Sequence, residues 1–347
     1  MVTFFLSVAD VFNSGIWQGM ELIEHPELQQ LAARLPRLAL LSRREGTVNN
    51  YVNGYIKWKT WALNFAEVTI LPADPKFFAL YLLHLQDFAK THAPISMAFY
   101  SISWVHRMAG LKDPTEHPLP KMVRDSAVRL LGKGQNKKLP LMASELGLLV
   151  DKFDGNNISL IDLRTITMCL LAYAGFFRFD EISKIRRSDI VFYPTYVKLF
   201  VEQSKTDICR EGKWVFIGKT GMPTCPVTML QRYLIKAQIA DNSVKYVFRA
   251  MTYFRSKKIH KLRASDKCLS YTTTREFMLS AFKTIGLDES KLGTHSLRAG
   301  GATAAANNSI CDRLFKKHGR WLSEKAKDGY VVEGLEQILS VSLSLGI

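Results

Sequence analysis

His295 and Arg298 stand three residues apart in the run Thr294-His295-Ser296-Leu297-Arg298-Ala299-Gly300-Gly301. On a helix that spacing puts both on one face. There one side chain can move a proton while the other holds an anion. The small residues that follow let another helix, or DNA, come close. A second arginine, Arg178, follows an apolar stretch and Gly175, with Glu181 three residues on. Its planar guanidinium can donate paired hydrogen bonds to phosphate oxygens. By itself the pair reads first as a surface ion pair one helical turn apart. The run His318-Gly319-Arg320-Trp321 comes next, and Trp321 is nine residues ahead of Tyr330. A lone tyrosine is ordinarily structural, because a nucleophile needs organised neighbours. Lys205 lies in a charged turn between two apolar runs, where a mobile ammonium could deliver a proton; Arg210, Lys213 and Lys219 share that segment.

These residues need a scaffold. The chain has 347 residues, of which 47% are hydrophobic, enough for packed cores and too many for a disordered chain. Its length suggests two domains. The net charge is +16 with a pI near 9.6, which points to a polyanionic partner, nucleic acid first and an anionic membrane surface second. No apolar run is long enough to span a membrane. Met1–Phe12 is apolar but lacks a basic start and a cleavage site, so a packed helix is expected rather than a signal peptide. Five scattered cysteines with no C-x-x-C pair read as reduced thiols and argue against a structural zinc site.

The hydrophobic spacing predicts a helical first domain over 1–132. Its helices include one capped by Thr47 and running through Tyr51, Tyr55, Trp58 and Leu63, and one opened by Asp74-Pro75. Two more are expected over Ile95–Met108 and Val123–Leu131. The run Gly132–Pro140, with two glycines, three lysines and a proline, reads as a basic linker over 133–140. From 141 to 347 the pattern is mixed: a helix capped by Ser144, a strongly apolar helix Asp162–Gly175, strands at Tyr196–Val201 and Trp214–Ile217, then helices to the end. The fold class expected is mainly α with a small β-sheet.

In order and spacing, Arg178 and Glu181, Lys205, His295 and Arg298, Trp321 and Tyr330 resemble the motif of the tyrosine recombinases, the phage-integrase family. That family carries an Arg with a Glu three residues on, a Lys in a hairpin turn, His-x-x-Arg, a His or Trp, and a Tyr nine residues later. The stretch from His295 to Trp321, with "HSLRAGGATAAANN" and "DRLFKKHGRW", is similar to recombinases of eukaryotic mobile elements of the Crypton and DIRS types.

The resemblance implies a helical core-binding domain followed by an α+β catalytic domain. It implies cleavage of DNA by Tyr330 through a 3′-phosphotyrosyl link, with no metal, ATP or other cofactor. Arg178 and Arg298 would clamp the phosphate, Lys205 would protonate the leaving oxygen, and His295 would act as base or phosphate ligand. Trp321 would wall the site, and Glu181 would orient Arg178 from behind. His318 falls outside the motif position; it reads as a DNA contact, a support for Trp321 or a surface histidine.

Double-stranded DNA is the expected partner. Arg43, Arg44, Lys57, Lys59, Arg107, Lys133, Lys137, Lys138, Arg186 and Arg187 are candidate contacts, although most such charges are simply solvated. The apolar tail carrying Leu335, Ile338, Leu339 and Leu343 is expected to dock on a neighbouring protomer, giving a dimer on one site and a tetramer in synapsis. Rival readings are a type IB topoisomerase and a domesticated DNA-binding protein without catalysis. A nuclear location follows only from the eukaryotic-element resemblance, with the cytoplasm as the alternative.

Overall fold

The structure, a computed structural model, describes residues 8–132, 137–155, 157–202 and 211–345. The chain divides into two units, Met1–Gln135 and Asn136–Ile347.

The first unit is helical. Three short 3-10 turns lead to helices α1 (Pro26–Ala32) and α2 (Leu35–Leu41), then α3 (Glu45–Ala62), α4 (Pro75–Phe88), α5 (Ala93–Ala109) and α6 (Pro118–Leu130). Helix α3 starts after Arg44, so Thr47 lies inside its first turn and does not cap it. Its buried stripe is Val48, Val52, Tyr55 and Trp58, which keeps the 3.6-residue period. Leu63, beyond the last turn, is exposed. Asp74 does cap α4, accepting from the Lys76 backbone N–H at 2.7 Å. Val8, Val11 and Phe12 enter the core of this unit, the latter two in a 3-10 turn, while most of the helix expected over Met1–Phe12 lies outside the described residues.

The second unit is built on α8 (Leu160–Ala174), which follows α7 (Ala143–Phe153) and is buried almost all round. A helix apolar on every side must be the centre of a domain. The short helix α9 (Phe179–Ser183) precedes an antiparallel sheet of β1 (Ile190–Phe192), β2 (Tyr196–Val201) and β3 (Lys213–Gly218) in the order β1-β2-β3. Val197, Leu199 and Val201 point inward, as the alternation requires. Val201 pairs with Lys213, so the expected strand pair is present. Helix α10 (Pro226–Lys236) and a hairpin of β4 (Met251–Phe254) and β5 (Ile259–Leu262) follow. That hairpin was not anticipated, because its exposed strands lack apolar alternation. Helices α11 (Tyr271–Thr284), α12 (Thr294–Asn307), α13 (Asp312–Gly319), α14 (Glu324–Asp328) and α15 (Leu335–Leu343) complete the unit.

Residues 138–141 belong to this unit rather than to a free linker. Leu139 N–H donates to Lys291 O and Leu141 N–H to Ser296 O, each at 2.9 Å, and the Lys138 ammonium to Ser290 O at 2.5 Å. Among the described residues no helix is long and apolar enough to cross a membrane.

Candidate active site

Four segments of the second unit converge: the turn from α8 to α9, the start of α12, the end of α13, and the chain after α14. Arg178 is the residue before α9. Glu181 folds back on it, accepting from the Arg178 backbone N–H at 2.9 Å and from its Nη1 at 2.8 Å. The pair is therefore inside rather than on the surface: Glu181 is 3% exposed.

Two further arginines reach the same carboxylate. Arg320 Nη2 donates to Glu181 Oε2 at 2.8 Å, and Arg298 Nη1 lies 3.9 Å from that oxygen. Burial pushes the Glu181 carboxyl up, but Arg320, Arg178 and Arg298 together outweigh it and hold its pKa below the ordinary value. Three guanidiniums around one carboxylate leave a local excess of positive charge, the setting an incoming phosphate needs.

Arg298 is fully buried on the first turns of α12. Its Nη1 donates to Phe176 O, and its Nη2 to Gly319 O at 2.6 Å. Burial and the neighbouring Arg178 push its pKa down. A guanidinium starts so high that it stays charged at neutral pH. Its Nε is buried without a hydrogen-bond partner, and so is the Trp321 indole N–H. These are two donors not committed to protein acceptors.

The Arg298 guanidinium lies 4.7 Å from the Trp321 ring centroid and 4.9 Å from that of Tyr330. The Trp321 and Tyr330 rings are 5.7 Å apart. His295, one turn before Arg298, is exposed, and its ring is 6.5 Å from that of Tyr330. The shared face is real, but it has depth: arginine at the bottom, histidine at the rim.

Close packing makes this arrangement possible. A Cβ at Gly301 would lie 2.2 Å from Tyr173 O and 2.7 Å from the Phe176 ring. One at Gly319 would lie 1.9 Å from the Trp321 ring. Only glycine lets α12 meet α8 and lets α13 meet the indole. Tyr330 is placed by α14, which Lys327 pins to Asp312 of α13 and to Glu324, the latter at 2.7 Å. Thr303 of α12 holds the following chain, accepting from Val332 N–H at 3.1 Å.

His318 is half-buried. Its Nε2 donates to Ala174 O at 2.8 Å, and its ring meets Phe176 edge-on at 4.7 Å. Burial lowers its pKa, and Arg320 and Arg298 lower it further. Its position is that of a support for the α8–α9 turn. No local pattern marks Arg320, most of whose partners lie 139 to 145 residues away. Lys205 lies outside the described residues, as does Lys133.

The remaining basic candidates divide. Arg43, Arg44 and Lys57 are exposed around α3. Lys59 bonds Asp10 at 2.8 Å and Arg107 bonds Asp113 at 3.1 Å. Arg186 stacks on Tyr246 and bonds Asp266, whereas Arg187 is buried and bonds Asp241 and Ile190 O. Arg187 is thereby committed to the fold. Lys137 donates to Gly329 O at 3.3 Å, beside Tyr330.

No protein-family model matches the chain. A protein described as an integrase/recombinase xerD homolog, from Selenomonas ruminantium, is 28% identical over 341 residues, 96% of each chain. Over nearly its whole length the chain is thus similar to a protein described as an integrase/recombinase. Among solved structures, the XerH site-specific recombinase bound to palindromic difH substrate matches with a TM-score of 0.61 at 13% identity, over 98% of this chain and 95% of that one. A lambda integrase dimer bound to a COC′ core site matches with a TM-score of 0.54 at 18% identity, over 87% of this chain and 95% of that one. These two share the tyrosine recombinase fold with this chain.

Proposed function

We propose that this chain is a site-specific DNA recombinase that cuts DNA with Tyr330. The phenolic oxygen attacks the scissile phosphorus, a 3′-phosphotyrosyl bond forms, and the 5′-oxygen leaves. The tyrosine proton passes to His295 and the leaving oxygen takes a proton from Lys205. Arg178 and Arg298 neutralise charge gathering on the non-bridging oxygens, with the Trp321 N–H as a further donor. The phosphodiester energy is kept in the enzyme–DNA bond, so the reading requires no ATP, and the guanidiniums supply the charge that a metal would otherwise bring.

The observation that carries this reading is the contact of the Tyr330 ring with Arg298, whose Nε is unpaired. A nucleophile has to sit beside the group that holds its phosphate.

The motif string from His295 to Trp321 supports integration or excision of a mobile element of the Crypton or DIRS kind, and with it a nuclear site of action. The natural substrate is double-stranded DNA, met by Arg43, Arg44, Lys57 and Lys137 among others. Helix α15 exposes Leu335, Ile338, Leu339 and Leu343, an apolar face suited to a second protomer in a dimer or tetramer on DNA. Deleting 335–347 is expected to weaken pairing of two sites more than binding to one, read by gel shift against synapsis. Equal losses would remove the tail from assembly.

The primary test is covalent trapping. Supercoiled plasmid carrying the DNA that flanks the coding sequence is incubated with protein and chelator, then denatured. Wild type is expected to give a 3′-linked protein–DNA adduct and Tyr330→Phe none. Adduct with relaxation but no exchange on adding partner DNA would indicate a topoisomerase. Tight binding with no adduct would indicate a non-catalytic DNA-binding protein.

A further inference from the structure

We infer that Arg320 is a positioning residue, holding the Glu181 carboxylate and through it the Arg178 guanidinium in the geometry that strand cleavage needs. Its consequence for cleavage rests on the strand-transfer reading; the positioning itself rests on contacts alone.

Arg320 ends α13 with φ of 56°, in the left-handed region. A residue with a Cβ is disfavoured there, and glycine is the usual occupant. An arginine stands there instead, 4% exposed. Both of its terminal nitrogens are used, while its Nε is buried without a hydrogen-bond partner. Nη1 donates to Gly175 O at 3.1 Å and to His318 O at 2.9 Å. Nη2 donates to Phe176 O at 2.9 Å and to Glu181 Oε2 at 2.8 Å. The guanidinium lies 5.1 Å from the Phe177 ring centroid.

One side chain therefore ties the end of α13 to the turn that precedes Arg178. Phe176, which that turn also holds at a left-handed φ of 47°, gives its carbonyl to Arg320 and Arg298 together. Two strained positions joined by one hydrogen bond, next to the reacting centre, mark a geometry that the surroundings enforce.

The carboxylate explains why this matters. Glu181 faces Arg178 from its own segment, Arg298 from α12 and Arg320 from α13. With Arg320 gone, the nearest buried cation not already bonded to it is Arg298. A swing of the carboxylate toward Arg298 would draw that guanidinium from the phosphate and release Arg178. Lysine cannot take the place of arginine, because one ammonium cannot meet four acceptors spread around a planar fork.

The test uses the full chain with Arg320→Lys, Arg320→Gly and Glu181→Gln, alone and combined. Arg320→Gly keeps the left-handed turn without the penalty of a Cβ, so a loss there is a loss of the guanidinium. Two readouts are taken: the single-turnover rate of adduct formation, and the 15N guanidinium resonance of Arg178, assigned with Arg178→Lys. Arg320→Lys is expected to slow adduct formation about tenfold and Arg320→Gly about a hundredfold. In both, the Arg178 resonance should pass from fixed to rotationally averaged. On the Glu181→Gln background neither variant should slow the reaction further by more than about twofold, because both act through one carboxylate.

Losses that multiply on that background, or an Arg178 resonance unchanged in Arg320→Lys, would overturn the inference. If Arg320→Gly does not fold, Arg320→Lys decides by the same two readouts. If wild type forms no adduct on any DNA, the strand-transfer reading falls. The Arg178 resonance then decides by itself whether Arg320 positions that side chain.

Discussion

The cluster around Glu181 and the segment that carries Tyr330 are built in opposite ways. Glu181, Arg298 and Arg320 are buried, and both arginines are bonded to backbone carbonyls. Tyr330 and His295 sit at the rim, half-buried and exposed, and Tyr330 follows a helix of only five residues. On the proposed reading, the charge that must be in place before the reaction is buried and bonded to the backbone, while the group that would travel to phosphorus lies at the edge of the cluster. Preorganised dipoles and charges cost no reorganisation during the reaction, whereas a nucleophile that forms and leaves a covalent bond needs freedom to move.

The comparison can be broken most directly by substituting each side of it. Arg298→Ala is expected to slow adduct formation about 10³-fold and also to lower stability, since Phe176 O and Gly319 O lose their donor. His295→Gln should slow the reaction about 10²-fold with the melting temperature unchanged. Equal loss of stability in the two would show that rim and cluster are not distinct.

A smaller effect sharpens the packing argument. Gly319→Ala puts a methyl group against the Trp321 indole. Overpacking of this kind costs about 1–3 kcal/mol, and urea denaturation should detect it. A matching alanine at Gly46, where a Cβ meets nothing within 4 Å, should be free of that penalty.

The smallest effect is in pH. Glu181 is held below its ordinary pKa in the folded chain by Arg320, Arg178 and Arg298, against the effect of burial. A lowered carboxylate contributes stability that is complete above its unfolded pKa, near 4.5, and is lost as pH falls through the folded value. Wild type should therefore lose more stability than Glu181→Gln on going from pH 6 to pH 3. Identical acid profiles would show that the carboxylate gains nothing from its three partners.

Much of this was legible in the chain itself. The 3.6-residue stripe of α3 and the alternation of β2 follow from local periodicity, and that information is present in any short window of sequence. The spacings Arg178 to Glu181, His295 to Arg298 and Trp321 to Tyr330 likewise named the reactive types. Thr47 misled because a capping residue acts only at a helix start, and Glu45 begins the helix two residues earlier. The β4–β5 hairpin escaped because nothing apolar alternates along strands that face solvent.

Residue types, spacing and periodicity, all local, were fixed by the sequence alone: which side chains can do chemistry, and which elements carry them. Depth was decided only in three dimensions. His295 and Arg298 share a helical face, yet one is exposed and the other buried, because α8 and the end of α13 close over α12 beyond its first turn. Arg320, an ordinary basic residue in the sequence, binds Glu181 across 139 residues, and Arg298 reaches Phe176 across 122. Partners that distant are chosen by packing, and packing is a property of the folded chain.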